Sequence, residues 1–114
     1  MTPGTLNLSV VAGDGYSHTL TFTDSEGTPQ DQSAYTFRAQ VRETPWAETA
    51  ADFGIDDTDA ATGVIVISLT AVQTRALRTG SNVWDIEREL TAGGDPQTLL
   101  QGKFTVTPDV TREA

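Results

Sequence analysis

Polar and apolar residues alternate with a period of two through most of the chain, the signature of half-buried strands. In "LNLSV" the apolar set is Leu6, Leu8 and Val10, with Asn7 and Ser9 between them. In "HTLTF" His18, Leu20 and Phe22 alternate with threonines. "YTFRAQVR" is the cleanest case, with Tyr35, Phe37, Ala39 and Val41 on one face and Thr36, Arg38, Gln40 and Arg42 on the other. "NVWDIEREL" sets Trp84, Ile86 and Leu90 against Asp85, Glu87 and Glu89. "TLLQGKFTVT" sets Leu100, Phe104 and Val106 on one side, with Gly102 among them as the mark of a bulge or of a close approach by a neighbouring side chain. "GVIVISL" is apolar on both faces and rich in β-branched residues, so it predicts a central strand.

The segments between these runs carry turn chemistry. "DSEG", "DDTDAATG" and "TAGGDP" separate strands at intervals of roughly ten residues, as in a sandwich or barrel. "TAVQTRALRTG" breaks the period. Thr70 and Gln73 have capping-box spacing, Val72, Ala76 and Leu77 have helical spacing, and Arg75 and Arg78 suit the end of the dipole. Gly80 is placed to stop it, which predicts a helix of about two turns. So short a helix must dock its apolar side on the core. The expected fold is all-β, an immunoglobulin-like antiparallel sandwich of about seven strands with one short helix.

A chain of 114 residues argues for one domain, 1–114, with its core over 5–107 and a tail over 108–114. The 37% of hydrophobic residues suffice for a core, and without cysteine that core must hold by packing. No apolar run approaches the ~20 residues of a membrane span, and the N-terminal stretch does not read as a signal peptide. The net charge of −9, from 7 Lys+Arg against 16 Asp+Glu, repels nucleic acid and anionic membrane. The cations are scattered rather than gathered in a stripe, so neither partner is expected.

"VVAGDGYSH" raises the possibility of a phosphate loop. A dinucleotide loop needs a third glycine where His18 stands and a helix where period-two residues follow. The Gly13-Asp14-Gly15 triplet therefore reads as a bend between strands, with Asp14 bonded to its own backbone. His18, the lone histidine, lies on the apolar side of its strand and reads as a packed or half-exposed strand residue rather than a general base or ligand. Asp56, Asp57 and Asp59 lack the spacing of a calcium loop and read as solvated turn acids. Asp85, Glu87 and Glu89 line one strand face, where glycosidic cleavage would need two of them across a cleft. A solvated face, or one paired with cross-strand arginine, is the ordinary reading. No catalytic residue, cofactor or metal is expected. Trp84 has the register of a core aromatic, whereas Trp46, with Phe53 nearby, is placed to anchor a partner, to stack on a sugar, or equally to fold over the end of the core.

The ordered set "GDGYSHTLTFTDSEGTPQD", "AYTFRAQVRETP", "DAATGVIVISLTAVQTRAL", "SNVWDIEREL" and "QTLLQGKFTVTPDVTR" resembles small β-sandwich proteins encoded among tailed-phage structural genes. It is similar to the immunoglobulin-like N-terminal domain of phage baseplate upper proteins. The resemblance spans about residues 13–112 and rests on the order and spacing of its pieces. It implies a virion part, made in the host cytoplasm, that joins other phage structural proteins in symmetric copies. It brings no catalytic residues. The matching positions Tyr35, Phe37, Val41, Leu69, Leu77, Trp84 and Ile86 are expected in the core. "QDQSAY" departs from the pattern by lacking an apolar residue after its aspartate, and the sequence ends soon after the last strand. The first leaves the turn before Tyr35 less anchored, and the second favours a small accessory subunit over a receptor-binding fibre. The rival expectation is a carbohydrate-binding module for host cell walls, built on Trp46 and Phe53.

Overall fold

The structure, a computed structural model, describes residues 4–110. Within them the strands are β1 (Gly4–Thr5), β2 (Leu8–Val11), β3 (Tyr16–Thr21), β4 (Tyr35–Arg42), β5 (Thr49–Asp52), β6 (Gly54–Asp56), β7 (Val64–Leu69), β8 (Gly80–Leu90) and β9 (Gln97–Thr107). A 3-10 turn (Ala60–Thr62) precedes β7, and helix α1 (Ala71–Ala76) joins β7 to β8. One sheet has the order β1-β9-β8-β4-β5, with β2 also on β9; the other has the order β3-β7-β6. The two face each other as a β-sandwich. Its nine segments are seven runs of chain, because β1 and β2 are one edge strand interrupted at Leu6–Asn7 and β5 and β6 are one strand interrupted at Phe53. The second run starts on β4 in the large sheet and ends on β7 in the small one, so Phe53 sits where the strand changes sheets. The small sheet is purely antiparallel, whereas the large one is mixed, because β1 and β2 run parallel to β9.

The alternation in the sequence becomes burial. β4 buries Phe37, Ala39 and Val41, β7 buries Ile65, Ile67 and Leu69, and β8 buries Trp84 and Ile86. Each large side chain removed from water here contributes roughly 1.5–3 kcal/mol. β7 lies between β3 and β6, the central place its two apolar faces predict. Phe53 meets Tyr16, Trp84 and Phe104 with ring centroids 5.8–6.5 Å apart, tilted or edge to face. Of the seven positions the resemblance places in the core, Tyr35 is partly buried and the rest are buried.

Four local expectations are corrected. In β9, Leu99 is buried and Leu100 only half-buried, because the β8–β9 register slips between Ile86 and Glu87. Ile86 faces Leu100 while Glu87 faces Thr98, so Leu99 is an extra residue and the bulge turns it inward. Leu90 is exposed, since β8 runs past the end of the core. Arg88 covers that end instead, donating to buried Gln32 Oε1 at 2.6 Å and stacking 4.2 Å over the Tyr35 ring.

The helix keeps its capping box, with Gln73 N–H donating to Thr70 Oγ1 and Thr70 N–H to Gln73 Oε1. It stops at Ala76, because Leu77 is already extended; Gly80, at φ 105°, begins β8. Val72 is 80% exposed, and docking falls to Thr74 and Leu77. Finally, the Gly13-Asp14-Gly15 bend is fastened by Thr74 rather than by the Asp14 side chain. Thr74 Oγ1 accepts from Gly13 N–H at 3.1 Å and donates to the Asp14 carbonyl at 2.8 Å. Arg75 lies so close to Gly13 that a Cβ there would come within 2.1 Å of its Nη2. Arg75 also holds Asp109 at 3.0 Å, which fastens the start of the tail; Thr111–Ala114 lie outside the described residues.

Candidate functional site

The residues with candidate chemistry are dispersed. His18 faces Ile67 on the inner side of the small sheet and is half-buried among core rows. Asp85, Glu87 and Glu89 alternate with inward Trp84, Ile86 and Arg88, so they point out from the large sheet, across the core from the imidazole. Glu87 sits opposite Arg38 in the β4–β8 register. Gly13 contacts a threonine hydroxyl and an arginine, not an open cradle. Asp56 accepts from Thr58 N–H, and that turn hydrogen bonding lowers its pKa. Among the described residues no group of three or more His, Asp or Glu side chains is placed to hold a metal.

Trp46 and Phe53 part company. Phe53 is 6% exposed inside the aromatic cluster, while Trp46 is 91% exposed on the loop between β4 and β5. The two form no common platform. The strand's change of sheet, invisible in the alternation, carries Phe53 into the interior.

Beside that loop the outer face of the large sheet holds a hollow of about 570 Å³. Pairing sets side chains into two rows across it. Thr5, Gln101, Asp85 and Gln40 follow one another on β1, β9, β8 and β4, and Asp52 on β5 continues the row. Lys103, Val83 and Arg42 form the second row. Gln40 Nε2 donates to Asp52 Oδ1 at 2.8 Å, and Arg42 Nη2 donates to Gln40 Oε1 at 2.9 Å. Arg42 Nη1 donates to the Ala47 carbonyl. This chain of bonds fixes the loop that walls the hollow through Pro45, and Trp46 lies between those two residues. Asp85 is the only carboxylate lining the hollow, so two acids do not face each other there. Partial burial raises its pKa, with Arg42 pulling the other way.

Sequence reasoning missed Thr5, Arg42, Gln101 and Lys103 as one group, because register between distant strands carries no local signal. Gly102 was the one trace. A Cβ there would lie 2.1 Å from the Leu6 carbonyl oxygen, so the nearest approach is by backbone, and the bulge lies earlier in β9, at Leu99.

The chain's likeness to known proteins lies in its fold. No protein-family description and no curated relative matches it in sequence. Among solved structures it is similar to the N-terminal domain of phage TP901-1 ORF48, at 12% identity and a TM-score of 0.56, over 94% of this chain and 99% of that one. It overlays more loosely on 23% of a family 123 glycoside hydrolase from Clostridium perfringens, at 14% identity and a TM-score of 0.42, covering 94% of this chain. It also overlays on 91% of AggA, the major subunit of aggregative adherence fimbriae type I from Escherichia coli, at 15% identity and a TM-score of 0.38, covering 93% of this chain. The last two are too loose to bear on function. The first shows a shared sandwich fold with a phage domain. Among the described residues no helix is long and apolar enough to cross a membrane.

Proposed function

We propose that this chain is a non-enzymatic structural subunit of a tailed-phage particle, an accessory piece of the tail, baseplate, neck or capsid. The observation that carries the reading is the shared fold with a phage domain over nearly the whole of both chains. Two features of the molecule support it. The sandwich packs most of its large apolar side chains inward, yet leaves an indole standing free on the β4–β5 loop. Exposed tryptophan is costly to leave in water and is favoured as an interface anchor. The charge of −9 keeps free copies apart in solution until specific contacts hold them. Other phage structural proteins are the partners, and symmetric repetition turns weak single contacts into lasting attachment.

An antibody raised against the chain, applied to purified particles of the phage that encodes it, tests this. Symmetric labelling at one location, with the chain present in dissociated particles, is the expected result. Particles that contain none of it overturn the reading.

A further inference from the structure

The hollow on the large sheet has no part in the assembly reading above. Its floor is a built arrangement. Two sheet rows present a hydroxyl, an amide and a carboxylate in one line and two cations flanking Val83 in the next. The Asp52–Gln40–Arg42–Ala47 chain of hydrogen bonds holds one side and its wall in place. Asn7 Oδ1, on the opposite side, is fixed by accepting from Lys103 N–H at 3.0 Å. Among the described residues the carboxylate of Asp85, the amide of Gln101 and the ammonium of Lys103 make no hydrogen bond, though all three line the hollow. They remain available to a ligand.

We propose that this hollow binds a short acidic saccharide. The first row offers acceptor and donor side by side, Asp85 and Gln101, which a vicinal pair of sugar hydroxyls satisfies. The second row offers Lys103 and Arg42, so the hollow carries two positive charges against one negative charge in a protein of net charge −9. A carboxylate on the ligand meets that local excess, while its hydroxyls lie over the first row. Val83 and Pro45 supply apolar surface for the carbon face of a ring. The volume, about 570 Å³, falls within the span of small-ligand sites and suits roughly two to three sugar rings. A peptide strand fits less well. The hollow opens on a sheet face, and its floor strands β9, β8 and β4 are each paired on both sides, so a peptide lying over them finds no free backbone edge to extend.

Titration of the ¹⁵N-labelled protein with a hyaluronan tetrasaccharide, followed by amide shifts, tests the proposal. Chitotetraose serves as the neutral counterpart and hexaglutamate as an acidic peptide. Saturable shifts at Asp85, Gln101 and Lys103 are expected, with binding at least about tenfold tighter for the acidic sugar than for chitotetraose. Lys103→Ala should weaken that binding about tenfold. Arg38→Ala, which removes an exposed cation outside the hollow, should leave it unchanged. Each variant is accepted only if its spectrum retains the folded dispersion. The proposal is overturned by no saturable shift up to about 10 mM sugar, or by equal losses in the two variants. It is equally overturned if chitotetraose binds as well as the acidic sugar, or if hexaglutamate saturates the same amides at lower concentration.

Discussion

The indole N–H of Trp84 donates to the Leu6 carbonyl at 2.8 Å, and it can do so because the residue facing Trp84 on β9 is Gly102. Leu6 lies in the gap between β1 and β2, where its N–H still donates to the Gln101 carbonyl of β9 while its own carbonyl turns to the indole. A side chain at position 102 would occupy that path, with its Cβ 2.1 Å from the Leu6 oxygen. One glycine thus lets the N-terminal edge strand satisfy a buried indole.

Gly102→Ala is therefore expected to push the edge strand away and to destabilise the domain by about 1–3 kcal/mol, as overpacking does. Trp84→Phe tests the same contact from the other side. It leaves the Leu6 carbonyl without its donor and is expected to cost about 1–3 kcal/mol. Urea unfolding followed by far-UV circular dichroism measures both. An unchanged midpoint for Gly102→Ala would show that Leu6 moves aside freely and that the bond contributes little.

A second fastening runs through Thr74, which is fully buried and ties the β2–β3 bend to α1. Its hydroxyl stands between an N–H and a carbonyl of the bend, with the Ala71 carbonyl also at 3.1 Å. Thr74→Val keeps the shape and removes the hydroxyl, leaving Gly13 N–H without an acceptor. We expect a loss of about 1–3 kcal/mol, with most of it restored in Thr74→Ser. If valine and serine are equally tolerated, the bend holds by packing alone. Amide exchange at Gly13 reads the contact directly and should accelerate in the valine variant only.

These two fastenings mark the limit of what the sequence reveals. Alternation located the inward faces of β4 and most of β8, because burial of one sheet face imposes a period of two, while the unbroken apolar run of β7 marked it only as a central strand. The Thr70–Gln73 box was legible because it is local. Leu99 was not, because a bulge is a disagreement between two strands and neither carries it alone. Phe53 was not, because a strand that changes sheets looks like two short polar runs around one ring. Asp14 was assigned its own bend because aspartate often caps turns; the threonine that does the work lies 60 residues away. The hollow needed the registers of four ladders; Asp85, Trp84 and Gly102 in its lining were each conspicuous in the sequence for another reason.

Asp85 gives a pH signature. Burial raises its pKa, so the folded state holds the proton more tightly than the unfolded state does. Its protonated form favours folding below the ordinary aspartate pKa, and that contribution is lost as pH rises through the interval up to the raised value. Asp85→Asn, which cannot ionise, should unfold at a higher temperature than the parent at pH 7. The gap should close toward about pH 3.5. Asp31 and Asp56 have lowered pKa values, from hydrogen bonds with Ser33 and Thr58, so their contributions run the opposite way and fade as pH falls. Melting curves from pH 3 to 7, read as variant minus parent, isolate Asp85 from both. A gap that widens on acidification would mean that Arg42 stabilises the carboxylate more than burial penalises it.

Trp46 separates a role in stability from a role in assembly. Its side chain is almost wholly exposed, so Trp46→Ala should change unfolding free energy by no more than about 0.5 kcal/mol. If Trp46 instead lay folded over the core in solution, the same substitution would cost several times that, as truncation of a packed aromatic does. In the assembly reading the loss appears elsewhere. The variant protein folds, yet a smaller share of it enters particles when it competes with the parent chain. Trp46→Phe keeps an aromatic face and should recover part of that incorporation. Fluorescence adds an independent reading, because Trp84 is buried and Trp46 is not. Emission from the free subunit should contain a red component that disappears in Trp46→Phe, and in the parent that component should shift to the blue once the subunit is docked. Equal incorporation of parent and alanine variant, with no blue shift on docking, would remove Trp46 from the interface and leave the exposed indole without a role.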